Sequence, residues 1–196
     1  SWKRFFLYSS QYNKLKAYIW NIATDVLVHA FEKGDYKKII LPFMVLRRLD
    51  VLLEETKAAT LEKKTFCDKA NLPYDAFLTQ VTGYPFYNTS EFTMKKLRYQ
   101  VDAQRLKMDV IDYFNGFSED VQEIIEKFKL RHWVEELTQK GRLGSLLEKF
   151  TSDAINLSSK PVLNDKGEEV LPALDNHLMG TMFEELLRRF NEENNV

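Results

Sequence analysis

Residues 35–64 read DYKKIILPFMVLRRLDVLLEETKAATLEKK, and their periodicity decides the fold. Val45, Leu49, Leu52, Thr56 and Ala59 recur three or four apart, with Phe43, Leu46 and Leu53 beside them. That spacing lays one broad apolar stripe along a helix, where a strand would alternate in twos. The breadth of the stripe predicts a central helix. Pro42 has no donor and clashes in a helix interior, so the helix either starts near Leu41 or kinks there. Arg47, Arg48 and Asp50 interrupt the apolar run. Their plain reading is an exposed face closed by local ion pairs. Their sharper reading is a contact to phosphate or to a partner.

Helical spacing spreads outward from this stretch. Leu15, Ile19, Ile22, Val26 and Ala30 predict a helix over Tyr12–Phe31, with Gly34 as its C-terminal cap. The pattern fades from Thr65 to Phe92, where Pro73, Gly83 and Pro85 predict loops and short helical pieces. It returns at Phe92–Arg98 and continues through RLKMDVIDYF to a stop at Gly116. Ser118 is expected to cap the next helix, which buries Val121, Ile124, Ile125 and Phe128. A short helix around Trp133, Val134 and Leu137 ends at Gly141, and another carries Leu143, Leu146, Leu147 and Phe150. Residues 161–172, PVLNDKGEEVLP, differ, because two apolar pairs flank a turn-forming run and predict a hairpin. The final helix runs from Asn176 to about Asn194 on Met179, Phe183, Leu186, Leu187 and Phe190. Glu184/Arg188 and Glu185/Arg189 sit in the favourable i,i+4 order. The predicted fold class is mainly α, an irregular multi-helix bundle of six to eight helices with at most one short β-hairpin.

Composition narrows the function. The chain has 196 residues, 44% hydrophobic, which suffices for one sizeable core. The formal net charge is −1, whereas an autonomous nucleic-acid binder is usually strongly basic. Any DNA contact must therefore come from a local patch or be weak. Candidates are Lys37 and Lys38, Arg47 and Arg48, and the run Lys95, Lys96, Arg98, Arg105 and Lys107, with Tyr99 among them. The plain reading of such runs is a solvated face. The single cysteine, Cys67, forms no disulfide within the chain and fits a reducing cytosol, so the expected location is cytoplasmic. No apolar run reaches the length of a membrane span, and no membrane partner is expected. The opening SWKRFFLYSSQYNK is aromatic and basic without a signal-peptide core. The ending RRFNEENNV breaks off inside an amphipathic pattern.

One tetrapeptide invites a catalytic reading. Asn71-Leu72-Pro73-Tyr74 resembles the Asn-Pro-Pro-Tyr element with which adenine-N6 methyltransferases grip the target amino group. That chemistry needs a buried apolar strand just before the Asn and a glycine-rich strand–turn–helix for the methyl donor. The residues before Asn71 are LEKKTFCDKA, largely charged, and no two glycines lie close together upstream. A helix stop or turn is the expected role, since Pro73 drives Leu72 out of helical geometry. His29, His132 and His177 lack a partner ligand at i+3 or i+4, so no metal site is expected. Cys67 reads as a packed thiol, with Lys64 and Lys69 leaving a reactive alternative open. No catalytic or cofactor-binding residue is expected in this chain.

Longer strings carry more. IWNIATDVL, DYKKIILPFMVLRRLDVLLEETKAA, PFYNTSEFTMKKL, YFNGFSEDVQEIIEKFKL and DNHLMGTMFEELLRRFNEENN follow in this order over most of residues 17–195. Together they resemble the opening of the modification (methylation, HsdM-type) subunit of type I restriction–modification enzymes. The resemblance implies a helical N-terminal domain over 15–175 and a helix at 176–196 leading into a Rossmann-like adenine-N6 methyltransferase domain. In that family the S-adenosylmethionine-binding and Asn-Pro-Pro-Tyr/Phe elements come afterwards, so none of their residues can be carried onto this chain. The implied partners are a specificity subunit, a second modification subunit, a restriction subunit and double-stranded DNA. The implied role is subunit assembly and closure around DNA. The alternative is a stand-alone helical interaction scaffold without DNA function. Two stretches depart from the family pattern: residues 1–14, and an insertion over 158–173 that contains the predicted hairpin.

Overall fold

The first helix, α1 (Trp2–Ile22), starts well before Tyr12 and gives way to a π-helical turn at Ala23–Leu27. The computed structural model describes residues 1–194, apart from the Arg4 side chain. Leu15, Ile19, Ile22, Ala23, Val26 and Leu27 are buried along this segment. The chain then reverses at His29, whose φ of 67° lies in the left-handed region. Gly34 is not the expected cap. It falls in the first turn of α2 (Lys33–Glu54), because His29 has already turned the chain.

Helix α2 continues through Pro42. Its buried face differs from the predicted stripe. Ile39, Ile40, Phe43, Met44, Leu46, Arg47, Asp50 and Leu53 are buried, whereas Val45, Leu49 and Leu52 are only half-buried. The prediction turned the charged residues toward water. The fold instead turns them inward and satisfies them with hydrogen bonds, which rotates the core face around the helix.

The third helix, α3 (Lys57–Ala70), extends into the region expected to be loop and stops at Asn71. It packs against α4 (Asp75–Thr82). A single turn, α5 (Met94–Leu97), is capped by Thr93, which accepts from the Lys96 N–H at 3.2 Å. A break follows, because Asp102 starts a new helix, α6 (Ala103–Asn115), by accepting from the Arg105 N–H at 2.9 Å. Then come α7 (Glu119–Lys127), α8 (Leu130–Gln139) and α9 (Leu143–Phe150). Ser118 stands at the N-cap of α7, but its hydroxyl caps no helical N–H. It donates to Asp120 at 2.6 Å and accepts from the Tyr87 N–H at 3.2 Å. Ile124 is half-buried and Phe128 is exposed, so α7 buries a narrower face than expected.

The predicted hairpin is present. Strands β1 (Val162–Leu163) and β2 (Glu169–Leu171) pair antiparallel across an irregular register. The Asn164 side chain accepts from the N–H groups of Lys166 and Glu168, each at 2.9 Å, and Gly167 supplies a φ of 77°. The last helix is α10 (Asn176–Asn194). Among the described residues 68% are helical, in ten helices rather than six to eight. The extra helices come from the break before α6 and from order within 65–92.

Two compact units arise. One comprises Ser1–Arg48 and the chain from Glu148 onward; the other is Leu49–Leu147. The first centres on Ile19, Leu27, Phe43, Phe150, Met182 and Phe190, and the second on Leu78, Tyr113, Phe114, Ile125, Leu137 and Leu147. Each core contains fully buried aromatic side chains, which supply much of the apolar area removed from water.

Candidate functional site

In the first unit, chemistry gathers at Arg47 and Arg48. They are only 6% and 5% exposed. The Arg47 Nε donates to the Phe150 carbonyl at 3.2 Å. The Arg48 guanidinium donates to the Leu157 carbonyl at 2.8 Å, the Leu174 carbonyl at 2.6 Å and the Asn176 side chain at 3.0 Å. The expected solvated face is therefore a buried node. A planar fork with several donors suits three diverging acceptors, which a lysine could not match. Arg48 fixes the loop after α9 and the first residue of α10 against α2.

A second node lies in the other unit, around the segment Phe86–Phe92. Asn88 and Phe117 form an isolated antiparallel bridge, and the Thr89 N–H donates to the Gly116 carbonyl at 2.8 Å. Gly116 leaves no room for a side chain, since a Cβ there would stand 2.6 Å from the Ser90 nitrogen. Asn88 donates to the Tyr113 carbonyl at 2.9 Å and accepts from Lys57 at 2.8 Å. Asp50, 4% exposed, accepts from the Tyr113 hydroxyl at 2.7 Å and from the Met94 N–H at 3.2 Å. Ser90 donates to Asp112 at 3.0 Å. Burial pushes the Lys57 ammonium down to about 8, with Lys96 adding to the fall and Asp50 and Asp112 opposing it. Buried polar clusters of this kind stabilise only when every member is satisfied. Among the described residues no enclosed side-chain nitrogen or oxygen lacks a partner.

The remaining candidate cations lie nearer the surface. Lys37 is half-buried and donates to Asn191, while Lys38 is exposed, 3.5 Å from Asp35. In the other unit, Lys95 lies 4.0 Å from Glu54, and Lys96 sits over the Phe92 ring at 5.7 Å. Arg98 stacks on Tyr99 at 5.2 Å, and Tyr99 is 71% exposed. Arg105 is exposed, and Lys107 bonds Glu135 at 2.9 Å, which holds that carboxyl below its usual range. All of these from Lys95 to Lys107 lie in the same unit, with Lys96 and Arg105 exposed and Arg98 stacked on the exposed Tyr99.

The tetrapeptide at Asn71 is a helix stop. Asn71 closes α3 in the left-handed conformation at φ 53°, and Tyr74 donates to the Asp68 carboxylate. That hydrogen bond lowers the Asp68 carboxyl and raises the Tyr74 hydroxyl. No strand of the described residues precedes Asn71; both strands lie at 162–171. Cys67 is fully buried. Among the described residues no group of three or more His, Cys, Asp and Glu is placed to hold a metal ion, and no helix is long and apolar enough to cross a membrane.

A family model described as the HsdM N-terminal domain matches residues 15–150. The chain belongs to that family. It is an N-terminal domain of the HsdM type, from the modification subunit of a type I restriction–modification system. No curated protein and no solved structure matches it. The strings that resembled this subunit are the ones that build the two nodes of the HsdM domain. LRRLD meets DNHLMG through Arg48, and PFYNTSEF meets YFNGFS through Asn88, Ser90 and Gly116. Sequence reasoning missed Lys57 and Asp50 as partners in one node, because lysines and aspartates are ordinarily solvated. It also missed the stack of Arg189 over Trp20 at 3.8 Å, which takes Arg189 onto a ring. Glu185 likewise bonds Lys16 and Tyr12, and burial with Glu185 pushes the Tyr12 hydroxyl up to about 12.

Proposed function

We propose that this domain serves subunit assembly and closure around double-stranded DNA within a type I modification enzyme. The methyl transfer, and with it S-adenosylmethionine, belongs to a methyltransferase domain of the parent subunit. The observation that carries the reading is the family match over residues 15–150. The buried nodes support it, because each braces its own unit and so holds that unit's exposed cations in fixed positions. Lys95, Lys96, Arg98 and Arg105, with Tyr99, are the proposed phosphate-facing group, and Lys38 is a lesser one. Arg47 and Arg48 are withdrawn from that role, since their guanidinium groups are enclosed. Phosphate contacts of this kind position a protein on DNA without reading sequence, which leaves recognition to the specificity subunit. The implied location is the cytoplasm, where the host DNA lies.

The test is binding by the isolated chain and by the assembled enzyme. Calorimetry of the chain with S-adenosylmethionine should give no heat of binding. Fluorescence anisotropy with a DNA duplex should give weak, salt-sensitive binding that tightens when specificity and modification subunits are assembled. Tight binding of the methyl donor to the chain alone would refute the assignment. DNA affinity of the assembly unchanged by removing this domain would favour a scaffold without DNA function.

A further inference from the structure

Between α5 and α6 the chain runs from Leu97 to Asp102 in one short turn, and the tip of that turn is apolar. Among the described residues no large apolar side chain is more exposed than Val101, at 97%, and Tyr99 two residues earlier is exposed as well. The turn is pinned at both ends. Met94 and Leu97 before it and Leu106 after it are buried. The Gln100 N–H donates to the Leu97 carbonyl at 3.1 Å, and the Gln100 side chain accepts from the Asp102 N–H at 3.1 Å. Arg98 stacks on the Tyr99 ring and donates to its hydroxyl at 3.2 Å. The tip is therefore ordered before anything binds it, which lowers the entropic cost of binding. Its charge is one-sided. Residues 95–107 contain Lys95, Lys96, Arg98, Arg105 and Lys107 against Asp102 alone. The Asp102 carboxylate is itself engaged as the N-cap of α6.

We propose that this tip is a wedge for duplex DNA, in which Val101 and the Tyr99 ring enter the minor groove, open one base step and bend the duplex. The wedge rests on the DNA-closing role and adds to it a deformation of the DNA. The cations on either side of the tip hold the flanking phosphates and fix where it enters. A valine side chain offers no hydrogen bond, so it reads no base edge and acts by filling space. Apolar side chains that enter from the minor groove unstack a base step and kink the duplex toward the major groove. A protein partner fits this surface worse, because the buried centres of protein interfaces are depleted in lysine. The deformation serves the proposed chemistry. An adenine amino group is enclosed within the duplex, so methyl transfer to it needs the base out of the stack. A neighbouring kink loosens that stack.

The test uses the assembled modification enzyme on a duplex labelled at both ends. Energy transfer between the labels reads the bend, and 2-aminopurine placed in turn along the duplex reads unstacking. The intact enzyme should bend the duplex by about 20–90° and brighten one step other than the methylated adenine. Val101→Ser and Tyr99→Ser should each remove most of that bend and that signal, and weaken binding on the order of 10-fold. Tyr99→Phe should keep both, because the ring and not the hydroxyl fills the step. The salt slope, which counts phosphates, should be the same in all three variants. A Val101→Ser enzyme that bends and unstacks the duplex as the intact one does would overturn the wedge. Reversing the charges of Lys95, Lys96, Arg98 and Arg105 then separates two causes. Weakened binding leaves the DNA-facing surface standing without its wedge, whereas unchanged binding removes DNA from this surface altogether. Failure of the Val101→Ser subunit to assemble would overturn the wedge in favour of a protein contact.

Discussion

Replacing Gly116 with Ala sets two effects against each other. The φ of Gly116 is −77°, a value any residue adopts, so the added methyl would by itself stabilise by about 0.4–1 kcal/mol through the unfolded chain. The same methyl would stand 2.6 Å from the Ser90 nitrogen, 2.8 Å from the Ser90 Cβ and 2.9 Å from the Asn88 Oδ1. None of these is the free end of a flexible side chain. The Ser90 N–H is bonded to Asn88 Oδ1 at 2.8 Å, and the Thr89 N–H holds the Gly116 carbonyl at 2.8 Å. Relief therefore loosens one or two hydrogen bonds, each worth about 1 kcal/mol net. Overpacking adds about 1–3 kcal/mol. The clash wins, and the expected net loss is about 2–3 kcal/mol. For a unit of roughly a hundred residues that lowers the midpoint by about 10–20 °C. Thermal melts followed by far-UV circular dichroism, checked by urea titration, would read it. An unchanged or raised midpoint would refute the close approach of residues 88–90 to Gly116.

Three further outcomes follow from the same nodes. Arg48→Met leaves the Leu157 and Leu174 carbonyls and the Asn176 side chain without their donor, and urea titration should show a loss of about 3–5 kcal/mol; Arg48→Lys should recover only part. Asn71→Ala should destabilise by about 1 kcal/mol at φ 53°, while Asn71→Gly should be nearly neutral. If Asn71 gripped a base, both variants would instead abolish methylation by the assembled enzyme. Lys57 falls from 10.5 to about 8 in the folded chain, so its penalty is complete below pH 8. The folded state sheds that proton before the unfolded chain does, and stability rises by about 2 kcal/mol between pH 8 and 10. Above pH 10 the trend reverses, because Tyr12 is raised to about 12 and the unfolded tyrosine ionises first. Lys57→Met should flatten the rise between pH 8 and 10, as read by urea titration across that range.

Elements with an unbroken period were legible. The stripe on α9 and the hairpin at 162–171 sit where spacing and turn chemistry place them. Charged residues on buried faces were not legible, because their cost is offset by partners far along the chain. Arg48 bonds residues 157, 174 and 176, and Asp50 bonds residues 94 and 113, and nothing local announces either. The break before α6 was hidden by basic residues that read as helical, although Asp102 carried a cap signature. At Asn71 the local chemistry went far: a charged, non-strand-like stretch before it and Pro73 after it pointed to a helix stop or turn, and the structure shows the stop. The basic residues of the candidate interface were visible as a run. Their separation into the enclosed Arg47 and Arg48 and the more accessible Lys38, Lys96, Arg98 and Arg105 needed the tertiary fold.

The decisive measurement is duplex DNA binding by the assembled modification enzyme across a salt series, with and without Lys95→Glu, Lys96→Glu, Arg98→Glu and Arg105→Glu. If these residues face phosphate, the substituted enzyme assembles normally but binds more weakly. Its log–log salt slope then becomes shallower by about 0.9 for each phosphate that is no longer neutralised. An enzyme that keeps its affinity and slope with all four cations reversed would contradict closure around DNA through this surface.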